Sequence, residues 1–169
     1  MEADARYWAG MAKARDIPGL RGDMTYAEAA AATVAVRTQE LFEHRAGVLD
    51  MAQIERVHAM RVATRRLRAV LEVYAPCFPK AQLRSVLADV KELADALGAR
   101  RDPDVELLAL ERFAAAAGPE ERAGVERLSA RTRVEQREAN ARLAAALGQV
   151  DAGDLRGRLE GLAGMDGAA

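Results

Sequence analysis

Between Ala52 and Tyr74 the residues sort onto two faces of one helix. At 100° per residue, Met60, Ala63, Leu67, Val70, Leu71 and Tyr74 form one apolar stripe, and His58, Arg61, Arg65 and Arg68 stand in a row nearly opposite. Such a helix must bury its stripe against other elements, so the chain has to be built from helices that share a core. No alternating Val, Ile and Thr run with hairpin turns competes with this reading. Half of the 169 residues are hydrophobic but only 4% are aromatic, so the core has to be aliphatic and Ala-rich.

The other elements follow from local signals. Residues 1–22 hold Trp8, Pro18 and weak periodicity, and read as an arm or short helix. Thr25 and Glu28 form a capping box, which opens a helix near Tyr26 that runs to about Leu49. Its core stripe is Val34, Thr38, Leu41, Phe42, the stem of Arg45 and Leu49. The helix from Ala52 stops at Tyr74, ahead of Pro76. Pro79 opens a third helix that reaches Leu97 and meets Gly98 as a C-terminal stop. Asp102-Pro103 reads as an N-cap followed by Pro at the first helical position, giving a fourth helix to about Ala117. Pro119 opens a fifth that carries Val125, Leu128, Thr132, Ala139, Leu143, Ala146 and Val150 inward. Five glycines after position 151 predict a frayed tail over 151–169. The expected fold is all-α, an antiparallel bundle of about five helices over 23–150, with an arm before it and a tail after it.

Charge is unevenly placed. The net charge is −1, yet residues 56–101 hold ten Lys and Arg against four acidic residues. Like charges one turn apart destabilise a helix by a few tenths of a kcal/mol per pair. A purely solubilising face usually mixes in Glu, as the last long helix does with Glu126, Glu135 and Glu138. The His58, Arg61, Arg65 and Arg68 row contains no Lys, and the guanidinium fork matches phosphate oxygens two at a time. Glu72 closes the row and Arg66 lies on its flank. Lys80, Arg84 and Lys91 share one flank of the next helix. Arg100 and Arg101 are expected in a loop beside a helix N-terminus, with an ion pair from Arg101 to Asp102 or Asp104 as the structural alternative. Arg37 and His44, seven apart, face alike and are candidates to extend the patch.

Other chemistry finds little support. The two histidines lack HxxxH or HxxE spacing, and the lone Cys77 excludes an internal disulfide and a CxxC metal site. Phosphate-loop, dinucleotide and nucleophile-elbow motifs are absent, so neither a cofactor nor a catalytic centre is expected. Cys77, Trp8 and Tyr74 read as packing residues, and too few aromatics accompany the patch for single-stranded nucleic acid to stack on. No apolar run of membrane-spanning length occurs and the first residues lack the order of a signal peptide, so the chain reads as cytosolic.

Two strings resemble a known family. Val57-His58-Ala59-Met60-Arg61-Val62-Ala63-Thr64-Arg65-Arg66-Leu67-Arg68 is similar to the signature of the CHAD family, the conserved histidine α-helical domain. Leu97-Gly98-Ala99-Arg100-Arg101-Asp102-Pro103-Asp104-Val105 is similar to its second landmark. The resemblance implies a helical domain that binds inorganic polyphosphate through a basic surface without catalysis. By position it assigns His58, Arg61, Arg65, Arg66 and Arg68 to the first motif, and Arg101, Asp102 and Asp104 to the second. Lys80, Arg84 and Lys91 rest on helical phase alone. Family members typically carry a second bundle and a second basic motif, which do not follow here. The expectation is therefore a homodimer that rebuilds the basic channel, located in the cytoplasm and at polyphosphate granules. A phosphotransfer bundle, a nucleic-acid binder and a plain dimerisation bundle are the competing classes.

Overall fold

The computed structural model describes residues 14–164, so most of the expected N-terminal arm, Trp8 included, lies outside the described residues. Within them the protein is all-α, with five helices packed antiparallel and no strand. They are α1 (Tyr26–Glu43), α2 (Ile54–Val73), α3 (Lys80–Ala116), α4 (Pro119–Ala152) and α5 (Leu155–Ala163), with a 3-10 turn at Ala75–Cys77 between α2 and α3.

Two of the expected helix starts carry their cap signals. The Glu28 N–H donates to Thr25 Oγ1 at 3.2 Å and the Thr25 N–H to Glu28 Oε2 at 2.7 Å. The Thr25 N–H and the Thr25 hydroxyl, which also donates to Glu28 Oε2 at 2.8 Å, hold the Glu28 carboxyl below the usual carboxylate range. α4 opens on Pro119, with the Gly118 N–H donating to Glu121 Oε2 at 2.9 Å. At the end of α2, Tyr26 Oη donates to the Val73 carbonyl at 2.8 Å and the Tyr26 and Tyr74 rings lie 4.8 Å apart. The contact supplies a partner for one of the carbonyls that a helix C-terminus leaves open.

Three expectations need correction. α1 ends at Glu43, and the chain turns through Gly47 at φ 72°, which leaves Leu49 exposed rather than in the core. Gly98 is not a stop and Asp102-Pro103 is not a helix start, because α3 runs unbroken through both. A glycine costs a helix about 1 kcal/mol and an interior proline about 3, amounts that packing along both sides can outweigh. α3 has α2 beside its first half and α4 along its second, and Leu97, Pro103 and Leu107 are buried. The frayed tail is likewise overturned over 155–163. Asp154, at φ 45°, caps α5 by accepting the Gly157 N–H at 3.1 Å. Leu155, Leu159 and Leu162 then recur at helical spacing and are at most 1% exposed. Glycines within α5 obscured that stripe in the composition.

One core unites Val34 and Leu41 of α1, Val57, Met60, Leu67 and Leu71 of α2, Leu83 to Leu97 of α3, Leu143 to Val150 of α4, and the α5 leucines. It stops at Leu97 and Leu143. Beyond them the second half of α3 and the first half of α4 continue as a two-helix hairpin about 28 Å long. Leu107, Val125, Thr132 and Ala139 are buried there, while Val105, Phe113 and Val134 are exposed, as is Leu128, against the expectation that it faces inward.

Candidate functional site

The predicted cations divide into a face and an interior. α2 and α3 are antiparallel neighbours joined by the turn at Ala75–Cys77, so the start of α2 lies beside the middle of the longer α3. There Arg101, 6% exposed, donates from Nη1 to the Ile54 carbonyl at 3.3 Å and lies 3.7 Å from Glu55. His58, one turn along α2, feels the Arg101 charge. Helical phase sets Lys80, Arg84, Lys91 and Arg101 within about 100° of one another on α3, on the side that meets α2. By helical phase, His58, Arg61, Arg65 and Arg68 share one side of α2 and Lys80, Arg84 and Lys91 one flank of α3, with the buried Arg101 tying the two helices together at the start of α2.

Among the described residues, Arg61, Arg65, Lys80, Arg84 and Lys91 form no ion pair, while Arg68 pairs with Glu72 at 2.8 Å. Elsewhere Arg15 meets Glu43, Arg45 meets Asp151 and Arg158 meets Asp89, whereas Arg112, Arg127, Arg133, Arg137 and Arg142 on α3 and α4 are, like the α2–α3 cations, without an ion pair among the described residues. Burial first, and then the Arg101 guanidinium, hold the His58 imidazole below its ordinary value of 6.5; Arg61 acts the same way and Glu55 opposes them. His58 is therefore a neutral donor and acceptor at pH 7, set among fixed positive charges.

Three further candidates stand elsewhere. Arg37 is bound to Glu40 at 2.6 Å, with side-chain exposures of 11% and 5%, and also donates to the Arg15 carbonyl at 2.8 Å. Burial alone would raise the Glu40 carboxyl, but the Arg15 N–H, Arg37 and the charge of Arg66 together hold it below the usual range. Arg37 and Arg66 thus meet at a buried carboxylate on the α1 side of α2, away from the row. His44 occupies the C-cap of α1, half-buried, and its side chain makes no hydrogen bond among the described residues.

Arg100 shows what the sequence reading missed. It is fully buried, bonded through Nη1 to Asp104 and through Nε to Asn140 Oδ1 at 3.0 Å. Gln136 Nε2 donates to Asp104 Oδ1 at 2.6 Å, and Asn140 Nδ2 to the Leu49 carbonyl at 3.1 Å. Asp104 therefore pairs with Arg100 within α3, one turn back, and Arg101 with neither Asp102 nor Asp104. The i,i+4 spacing of Arg100 and Asp104 was the available signal, hidden by placing the pair across a loop and a helix start.

The model of the CHAD domain matches residues 32–169, which takes in every helix from the body of α1 to the last. The chain belongs to the CHAD family. No curated protein and no solved structure matches it. The matched span contains both landmark strings and α5, so this CHAD domain includes the segment whose glycines suggested a tail. Among its described residues no three His, Cys, Asp or Glu side chains converge as metal ligands. None of its described helices is long and apolar enough to cross a membrane.

Proposed function

We propose that this CHAD domain binds inorganic polyphosphate along the α2–α3 face and acts as a non-catalytic module. The observation that carries the reading is the set of cations, Arg61, Arg65, Lys80, Arg84 and Lys91, that line two adjacent helices without a carboxylate partner among the described residues. Cations placed so close together repel one another, and a polyanion with closely repeated charges relieves that repulsion along the whole face. Arg61, Arg65 and Arg68 recur about once per turn, so successive members of the row are offset by about 4.5–6 Å along the axis. Binding would release condensed counterions, so affinity would fall steeply with salt, as it does for other polyanions. His58 adds a contact that strengthens on protonation. Cytosolic and granule-associated placement would follow from the ligand.

The hairpin supports a second part of the proposal. Val105, Phe113, Leu128 and Val134 are 43–57% exposed on it, and a second copy laid against these residues would set two basic faces about one two-fold axis. Light scattering on wild type and Phe113→Lys tests this part. A monomeric wild type with undiminished polyphosphate affinity would exclude it.

The direct experiment is calorimetric titration with long-chain polyphosphate at two salt concentrations, for wild type and Arg65→Glu/Arg68→Glu. Salt-sensitive binding that the double variant loses supports the reading. Binding unaffected by charge reversal would overturn it, and absence of binding at low salt would leave a structural bundle. Displacement of polyphosphate by excess duplex or single-stranded nucleic acid would favour the nucleic-acid alternative.

A further inference from the structure

At the turn end of the α2–α3 face the surface changes character. Ala75, Pro76, Leu83 and Leu87 line an open groove of about 560 Å³, with Lys80 and Arg84 as its charged members. Leu83 belongs to the core, and Leu87 and Ala75 pack against it half-buried. Val73, just before the turn, is 62% exposed. Neither Lys80 nor Arg84 has an ion-pair partner among the described residues. Small-molecule sites are mostly apolar with a few placed charges, and this lining has that composition.

An inorganic phosphate chain has no apolar part, so it leaves such a floor wet. A ligand that carries phosphates at one end and a flat apolar body at the other satisfies both halves. We infer that this groove takes the organic end of an organic polyphosphate, the chemical class of a nucleoside triphosphate, with its body on Pro76 and Leu87 and its phosphates directed past Lys80 and Arg84 into the basic face. This deepens the polyphosphate reading and rests on it. The groove's lining offers the body no side-chain hydrogen-bond partner other than those two cations, so selectivity among bases should be weak.

The other grooves fit this class less well. The one formed by Gln82, Ser85, Val86 and Arg158 has its cation already held by Asp89 and Ser85. The one beside Asp89 and Glu92 carries the wrong sign for an anion.

The test compares ATP with inorganic tripolyphosphate, ligands of similar charge, by titration at low salt. Covering part of this floor is worth about tenfold in affinity, so ATP should bind about tenfold tighter, with GTP close to it. Leu87→Gln should remove that advantage while leaving the tripolyphosphate affinity within twofold. Should Leu87→Gln fail to fold by circular dichroism, Pro76→Ser serves, since Pro76 is exposed. Equal or weaker binding of ATP, with polyphosphate still bound, overturns the inference and leaves the parent reading intact. An ATP advantage that survives both substitutions overturns it too. Failure of ATP, tripolyphosphate and long-chain polyphosphate alike to bind at low salt overturns both.

Discussion

Arg100 pairs with Asp104 across one turn of α3, with both side chains fully buried and Pro103 between them in sequence. The pair sits where the shared core stops and the hairpin begins, and Asn140 ties it to the Leu49 carbonyl in the loop before α2. Gln136 bonds Asp104 Oδ1 and Asn140 bonds Arg100 Nε, while Arg100 Nη2 and Asp104 Oδ2 keep no hydrogen-bond partner. A polar cluster inside a helical hairpin fixes which residues of the two arms lie opposite each other, because a shift by one turn would strand buried charge. Arg101, the next residue, owes its place at the start of α2 to that register.

Asp104→Asn should therefore destabilise the domain by about 3–5 kcal/mol, since it leaves the Arg100 charge buried without its counter-ion. Arg100→Met/Asp104→Leu should recover most of that loss. Urea unfolding of the three proteins measures both, and a double variant no better than the single would show that the pair does more than neutralise itself.

Gly98→Ala should stabilise. The residue lies inside α3, its φ is outside the left-handed region, and a Cβ built there meets nothing within 4 Å. Alanine is preferred to glycine in a helix interior by about 0.5–1 kcal/mol. The urea midpoint should rise at unchanged slope. A helix stop at this position would give the opposite sign.

Leu159→Ala should cost about 2–5 kcal/mol, as much as the same change at Leu67. Both side chains are 0% exposed in one core, although one lies in a segment that composition marks as a tail. Thermal unfolding of the two variants side by side checks this, and an unperturbed midpoint for Leu159→Ala would mean α5 does not contribute to folding.

Proton linkage at His58 has a definite sign. Its folded pKa lies below 6.5, so the unfolded chain takes up the proton first, and this site's contribution to stability is lost as pH falls through about 6.5 and below. A polyanion bound on the proposed face would offset Arg101 and Arg61 and move the imidazole back up. Polyphosphate affinity should then rise as pH falls from about 7 to 5.5, with proton uptake on binding. Titrations in buffers of different ionisation enthalpy read that uptake directly, and His58→Gln should abolish the pH dependence.

Much of the fold was legible in the residue pattern. The α2 stripe, the Thr25 capping box, the Pro119 start and the all-helical class needed only helical period and cap chemistry, which are local properties. The same phase put Arg61, Arg65 and Arg68 on the uncovered side of α2, and burial agrees, with Arg65 and Arg68 exposed and Leu67 and Leu71 at 0%.

The sequence by itself determined which face of each helix is apolar and where cations gather along the chain. Only the tertiary structure decided that α3 runs through Gly98 and Pro103, that the α5 leucines enter the core, that Arg100 is interior, and that Arg37 belongs to Glu40. The physical reason is common to all four. A local penalty of 1–3 kcal/mol, or a side chain's choice of partner, is settled by neighbours far away in sequence, and burial against them outweighs local preference.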